Sequence, residues 1–264
     1  MVLGLDKVVE HLGRFSASYT IIGGAACYTH FKQLDLQFRA TKDIDMVLRV
    51  DTVDLSFAEA LKGFLDAGGY EARQRGAEGA REYYRFHKPT AEGFPSMLEL
   101  FIRNAAVADK IAEDQEIARI DVEDDLVSLS AIILDDHYFD ILNRHSEIQD
   151  GVSVLSVEML IAFKAKAYCD LVRRRDEGDA KVKGDDIKKH RNDVFRLLTI
   201  VAPTRRIVLP NSILADLGQY SNAILQLGAD FAPSSFGVNL SVDEGLSLLR
   251  SIFVAAESPL EAAE

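Results

Sequence analysis

The alternation Asp43-Ile44-Asp45-Met46-Val47-Leu48, twenty residues after the pair Gly23-Gly24, constrains this chain more than any other feature. The glycines close an apolar run, Tyr19-Thr20-Ile21-Ile22, and open an Ala-rich segment of helical character. The aspartates begin a second apolar run, Ile44 to Val50. Strand, glycine turn, helix and strand in that order imply an α/β layout. Successive strand side chains alternate faces, so Asp43 and Asp45 share one face about 7 Å apart, with Ile44, Met46 and Leu48 on the other. Two carboxylates at that separation repel by about 2 kcal/mol at an effective dielectric near 20. A divalent cation removes that penalty and can hold a triphosphate for in-line displacement. A strand entry with two solvated aspartates is the competing reading, in a chain with 42 acidic residues.

At 264 residues, 48% of them hydrophobic, with six prolines, the chain is long enough for one large domain or two modest ones. No apolar run approaches the ~18 residues of a membrane span, and the opening residues Met1 to Asp6 lack the basic start and apolar stretch of a signal peptide. The two cysteines, Cys27 and Cys169, have no metal-ligand spacing and read as small core residues of a cytoplasmic protein. A net charge of −12 argues against nucleic-acid attraction over the whole surface. From Lys164 to Arg196, however, eleven Lys or Arg face seven Asp or Glu. Such a basic sector suits a localised polyanion, such as a triphosphate or one arm of an RNA, or is a solvated helix pair with a charged connector.

Periodicity predicts a helix over 4–15, a strand over 19–22, a helix over 25–34 and a strand over 44–50. A helix through Phe57, Leu61, Phe64 and Leu65 stops at Gly68-Gly69. Strands are expected near 82–87, 97–103, 126–134 and 152–155, with a helix near 137–147. From Ser156, read as an N-cap, the chain turns helical: 156–175, 185–201, 211–226 and 242–256, the last opened by the capping box Ser241-Val242-Asp243-Glu244. The division is an α/β domain over 1–155 and a helical domain over 156–264.

Four further groups carry chemistry. Glu99 is the one charge in the run Met97 to Ile102. If its strand lies beside 44–50, Glu99 joins Asp43 and Asp45 as a third metal ligand; otherwise it is an edge-strand glutamate facing water. Gly23 and Gly24 let backbone N–H groups approach phosphate oxygens at a helix start, although no Walker spacing is present. Arg39, Thr41 and Lys42 offer further phosphate contacts. Lys164 falls inside the stripe Val157, Leu160, Ile161, Tyr168, Leu171, with Lys166 on the solvent side. A buried lysine needs a carboxylate or an anionic ligand, unless it snorkels past Phe163 to water. In the following helix His190 and Arg191 interrupt the stripe of Ile187, Val194, Leu197, Leu198 and Val201, with Asp193 at its margin.

Ile22-Gly23-Gly24, Arg39-Ala40-Thr41-Lys42-Asp43-Ile44-Asp45, Leu160 to Ala167 and Asp186 to Val194 together resemble the AbiEii-like branch of the DNA polymerase β nucleotidyltransferase superfamily. The likeness runs over roughly residues 15–200. It implies a nucleotidyltransferase-type mixed sheet with flanking helices, an NTP donor and Mg2+ or Mn2+ as cofactor. It places Gly23 and Gly24 at the phosphates, Asp43 and Asp45 at the metal with Glu99 as third acid, and Lys164 at the triphosphate. Arg39 or Arg191 is expected to help Lys164 neutralise the triphosphate, with His190 a further candidate nucleotide contact. Asp193 matches an aspartate of the family, while Lys189-His190 stands where many relatives have Lys-Asp. Some relatives are toxins of toxin–antitoxin or phage-defence pairs and one group modifies tRNA, so the resemblance implies an RNA or tRNA acceptor and a cognate antitoxin partner. Small-molecule or protein acceptors, a nucleotide-binding regulatory protein without catalysis, and a purely structural α/β protein are the alternatives.

Overall fold

Tyr19–Ile22 (β1) is buried at all four positions, as expected of a strand covered on both faces. Its neighbour Asp43–Leu48 (β2) keeps Ile44, Met46 and Leu48 wholly buried and leaves Asp43 and Asp45 half-exposed. The computed structural model describes residues 2–49, 55–77, 81–102, 118–119, 132 and 135–256. They fall into two units, Met1–Leu160 and Ile161–Glu264. The fold is mixed α/β.

The first unit is built on an eight-stranded sheet. Its remaining strands are Glu71–Ala77 (β3), Arg81–His87 (β4), Met97–Ile102 (β5), Ala118–Arg119 (β6), Ser146–Gln149 (β7) and Val152–Leu155 (β8), in the order β6-β3-β4-β5-β2-β1-β8-β7. β2 runs parallel to β5 and antiparallel to β1, and β4 is antiparallel to β5. Helices Leu5–Leu12 and Leu55–Gly68 bring Val8, Leu12, Phe57, Leu61 and Phe64 into one core. Ring contacts join Phe57 to Phe15 and Phe64 to Phe94. No helix among the described residues is long and apolar enough to cross a membrane.

Several expectations shift. The helix near 137–147 covers Asp136–Arg144, capped by the Asp135 carboxylate, and β7 follows it. The β7–β8 hairpin turns through Asp150 (φ +48°) and Gly151 (φ +84°), an Asp-Gly pair of the kind tight hairpins require. β3 was not expected either, because Glu71-Ala72-Arg73-Gln74-Arg75-Gly76-Ala77 has no apolar alternation; seven cross-strand pairs to β4 define it. Most of the anticipated strand over 126–134 lies outside the described residues. Ser156 is buried and its hydroxyl has no hydrogen-bond partner among the described residues, so it does not act as a side-chain cap.

Buried His30 ties the helix Gly23–Gln33 to β7 and β8. Its Nε2 lies 2.8 Å from the Leu155 carbonyl, which must accept, and its Nδ1 lies 2.9 Å from the Gln149 amide nitrogen, which must donate. The ring is thus held neutral. Burial lowers its pKa, opposed by the Leu155 carbonyl and by Glu147 and Glu158. A histidine whose folded pKa is depressed leaves stability intact above its unfolded pKa of about 6.5 and loses it as pH falls below. The wild type should therefore lose more stability between pH 7.5 and 5.5 than His30→Gln does. Parallel curves in urea would refute this.

The second unit holds the helix Val157–Asp176 from Ile161 onward, then helices Gly184–Leu198, Asn211–Leu227 and Val242–Ile252. The capping box forms as expected: the Ser241 hydroxyl accepts from the Glu244 N–H, and the Ser241 N–H donates to Glu244. The helix expected to reach 256 stops at Ile252. Phe253–Ala255 (β10) then pairs in parallel with Ile207–Leu209 (β9).

Candidate active site

One face of the sheet carries the acids. Pairing of β2 with β5 sets Asp43 against Met97 and Asp45 against Glu99, and pairing of β5 with β4 sets Met97 against His87 and Glu99 against Arg85. Strand alternation therefore gives two rows on one face, Asp43–Met97–His87 and Asp45–Glu99–Arg85. The opposite face is apolar: Ile44, Leu98 and Phe86 are buried, as are Met46 and Leu100.

The glycine turn stands on the β1 side of these rows. Ile22 pairs with Asp45, and Gly23 follows at φ +67°. A Cβ on Gly23 would overlap the Asp45 carboxylate, and one on Gly24 would meet Thr41 Oγ1 at 2.9 Å. The pair is thus fixed both by backbone sign and by the closeness of two side chains, and it opens the helix Gly23–Gln33, whose first-turn N–H groups lack intrahelical partners. Thr41 also bridges to Val2. Arg39 lies over the Phe38 ring at 5.3 Å. Lys42 is exposed.

On the other flank a cleft of about 650 Å³ has Lys42, Asp43, His87, Lys88, Thr90 and Met97 among its walls. Lys88 pairs with Glu71 at 3.0 Å. Asp43 thus lies between glycine turn and cleft.

Glu99 departs from the edge-strand alternative: β5 is interior and Glu99 is 3% exposed. Its Oε1 accepts from Arg85 Nε at 2.9 Å. Asp43 and Asp45, sharing a face, suit a divalent cation as a pair, whereas Glu99 is committed to a guanidinium. Among the described residues no group of three or more His, Cys, Asp or Glu side chains is clustered to hold a metal. Sequence reasoning missed Arg85, because only the β4–β5 register identifies it as the neighbour of Glu99.

In the second unit Lys164 does meet a carboxylate. Its Nζ lies 3.4 Å from Asp193 Oδ2, and Arg196 donates to Asp193 Oδ1 at 3.0 Å. Asp193, expected at the margin of its stripe, is fully buried, and His190 is buried beside it in sequence. The Arg191 guanidinium lies 4.6 Å from the centre of the Phe231 ring, and its carbonyl accepts from the Tyr220 hydroxyl. Lys166 is not simply solvated, since it pairs with Asp216 and Asp170. Arg196 was overlooked, although its i+3 spacing from Asp193 was a usable signal. Cys27 is buried; Cys169 is half-buried, and burial pushes its thiol up to about 12.

No family model matches the chain, and no curated protein matches it. Among solved structures, the solution structure of the antibiotic-resistance factor ANT(2'')-Ia, known for substrate-regulated conformation dynamics, is similar over 84% of this chain and 94% of its own. The identity is 12% and the TM-score 0.35. At that distance the likeness describes neither a shared site nor a shared substrate.

Gly23 and Gly63 should respond oppositely to alanine. At Gly23 the left-handed backbone alone costs about 1–2 kcal/mol, before Asp45 is displaced. At Gly63, inside the helix Leu55–Gly68, a Cβ meets nothing within 4 Å, and alanine should stabilise by up to ~1 kcal/mol. Urea denaturation followed by circular dichroism reads both, and equal midpoints would refute the contrast.

Proposed function

We propose that this protein transfers a nucleoside monophosphate from an NTP to an acceptor hydroxyl, as AbiEii-like nucleotidyltransferases do. The carrying observation is the packing of Gly23 against the Asp45 carboxylate, with Asp43 on the same face. The acceptor oxygen attacks the α-phosphorus as the bond to the β-phosphate bridge breaks. Pyrophosphate leaves, and the acceptor's proton passes to the Asp45 carboxylate. Backbone N–H groups at Gly23 and Gly24 bind phosphate oxygens, where the helix dipole favours anions. Asp43 and Asp45 would hold a divalent cation, Mg2+ or Mn2+, which would supply neutralisation of the triphosphate and a lowered pKa for the acceptor hydroxyl.

RNA or tRNA is the acceptor we favour, with a cognate antitoxin as the partner of a toxin, on the resemblance of the glycine pair and the Asp43-Ile44-Asp45 strand to the AbiEii-like branch. A small-molecule acceptor is the second reading. It is favoured by the open cleft beside Asp43, which Lys42, His87 and Lys88 help to line. Both are tested by supplying each α-labelled NTP with Mg2+, total RNA and a small-molecule extract, and separating new labelled products from the NTP and its hydrolysis products. Label in RNA supports the first reading. Label in a small-molecule fraction, with none in RNA, supports the second, and label in neither contradicts both.

A further inference from the structure

Glu99 sits where the resemblance implies a third metal ligand, yet its surroundings oppose that role. It is 3% exposed, and its Oε1 lies 2.9 Å from Arg85 Nε. Arg85 is its cross-strand partner on β4, and Asp45 its partner on β2. A carboxylate held by a mostly buried guanidinium turns to a metal ion only by leaving that guanidinium unpaired, which is strongly unfavourable inside a sheet.

We propose that this site holds a single divalent cation, between Asp43 and Asp45, and that Arg85, oriented by Glu99, stands in the place of a second. The inference rests on reading Asp43 and Asp45 as the metal pair of a nucleotidyltransferase. Glu99 is then a positioning residue for Arg85, and the Asp45–Glu99–Arg85 row is a one-metal site with a built-in cation. An arginine suits that place because its charge persists at any working pH and its planar fork matches carboxylate and phosphate oxygens.

Mn2+ alone, titrated into the full chain with free ion followed by electron paramagnetic resonance, tests this without reference to catalysis. The wild type should bind one Mn2+. Glu99→Gln should keep its Kd within about three-fold, a shift under ~1 kcal/mol. The double variant Glu99→Met/Arg85→Met, which exchanges the buried pair for apolar groups of similar size, should do the same and guards against misfolding of the single one. Arg85→Met alone releases Glu99 to ligate, and should tighten binding by about ten-fold or admit a second ion. A loss of about ten-fold or more in Glu99→Gln or in the double variant overturns the inference, as do two ions in the wild type or unchanged binding in Arg85→Met. Undiminished binding in Asp45→Asn overturns instead the metal-pair reading on which it rests.

Discussion

Asparagine at position 45 is expected to reduce nucleotidyl transfer by about a thousandfold, equivalent to about 4 kcal/mol of lost transition-state stabilisation. The substitution preserves shape, so the contact with Gly23 survives, and it removes one of two carboxylates on the strand face. Stability should change by less than ~1 kcal/mol, or rise slightly, because the repulsion with Asp43 disappears. Single-turnover transfer and urea denaturation, measured on the same preparation, separate the two effects. Transfer within ten-fold of wild type would show that Asp45 is a structural residue, and a loss matched by unfolding would remove the evidence for a chemical role.

The second large effect concerns stability. Asp193 is fully buried and answers both Lys164, itself 5% exposed, and Arg196. Asp193→Ala leaves Lys164 buried without its carboxylate, and the expected cost is about 3–5 kcal/mol. Lys164→Met/Asp193→Leu removes both charges and should recover most of that loss. Arg173→Ala, which breaks a pair with both side chains 60% exposed, should change little. The order in urea is therefore Asp193→Ala well below the double variant, with Arg173→Ala near wild type. If the double variant is as unstable as Asp193→Ala, packing rather than charge explains the position.

The legible parts of the sequence were those encoded locally. Alternation at Asp43 to Leu48 gave the strand and its faces, and the glycine pair gave the turn that Asp45 packs against. The apolar stripe around Lys164 showed that this lysine needed an anion, but not which one. That depended on how two helices meet, which brings Asp193 within 3.4 Å. Glu99 was readable as an unusual charge, while its partner Arg85 became visible only through cross-strand register. β3 was hidden because a polar strand held by backbone pairing carries no hydrophobic period. β7 was absorbed into the preceding helix although Asp150-Gly151 marked the hairpin.

The central claim is nucleotidyl transfer, and paired labelling tests it most directly. NTP labelled at the α-phosphate and NTP labelled at the γ-phosphate are each incubated with the protein, Mg2+, total RNA and a small-molecule extract. The expected result is α-label in an acceptor and γ-label in pyrophosphate, both lost in Asp45→Asn. Transfer of γ-label to an acceptor, or retention of both labels in intact NTP, would contradict it.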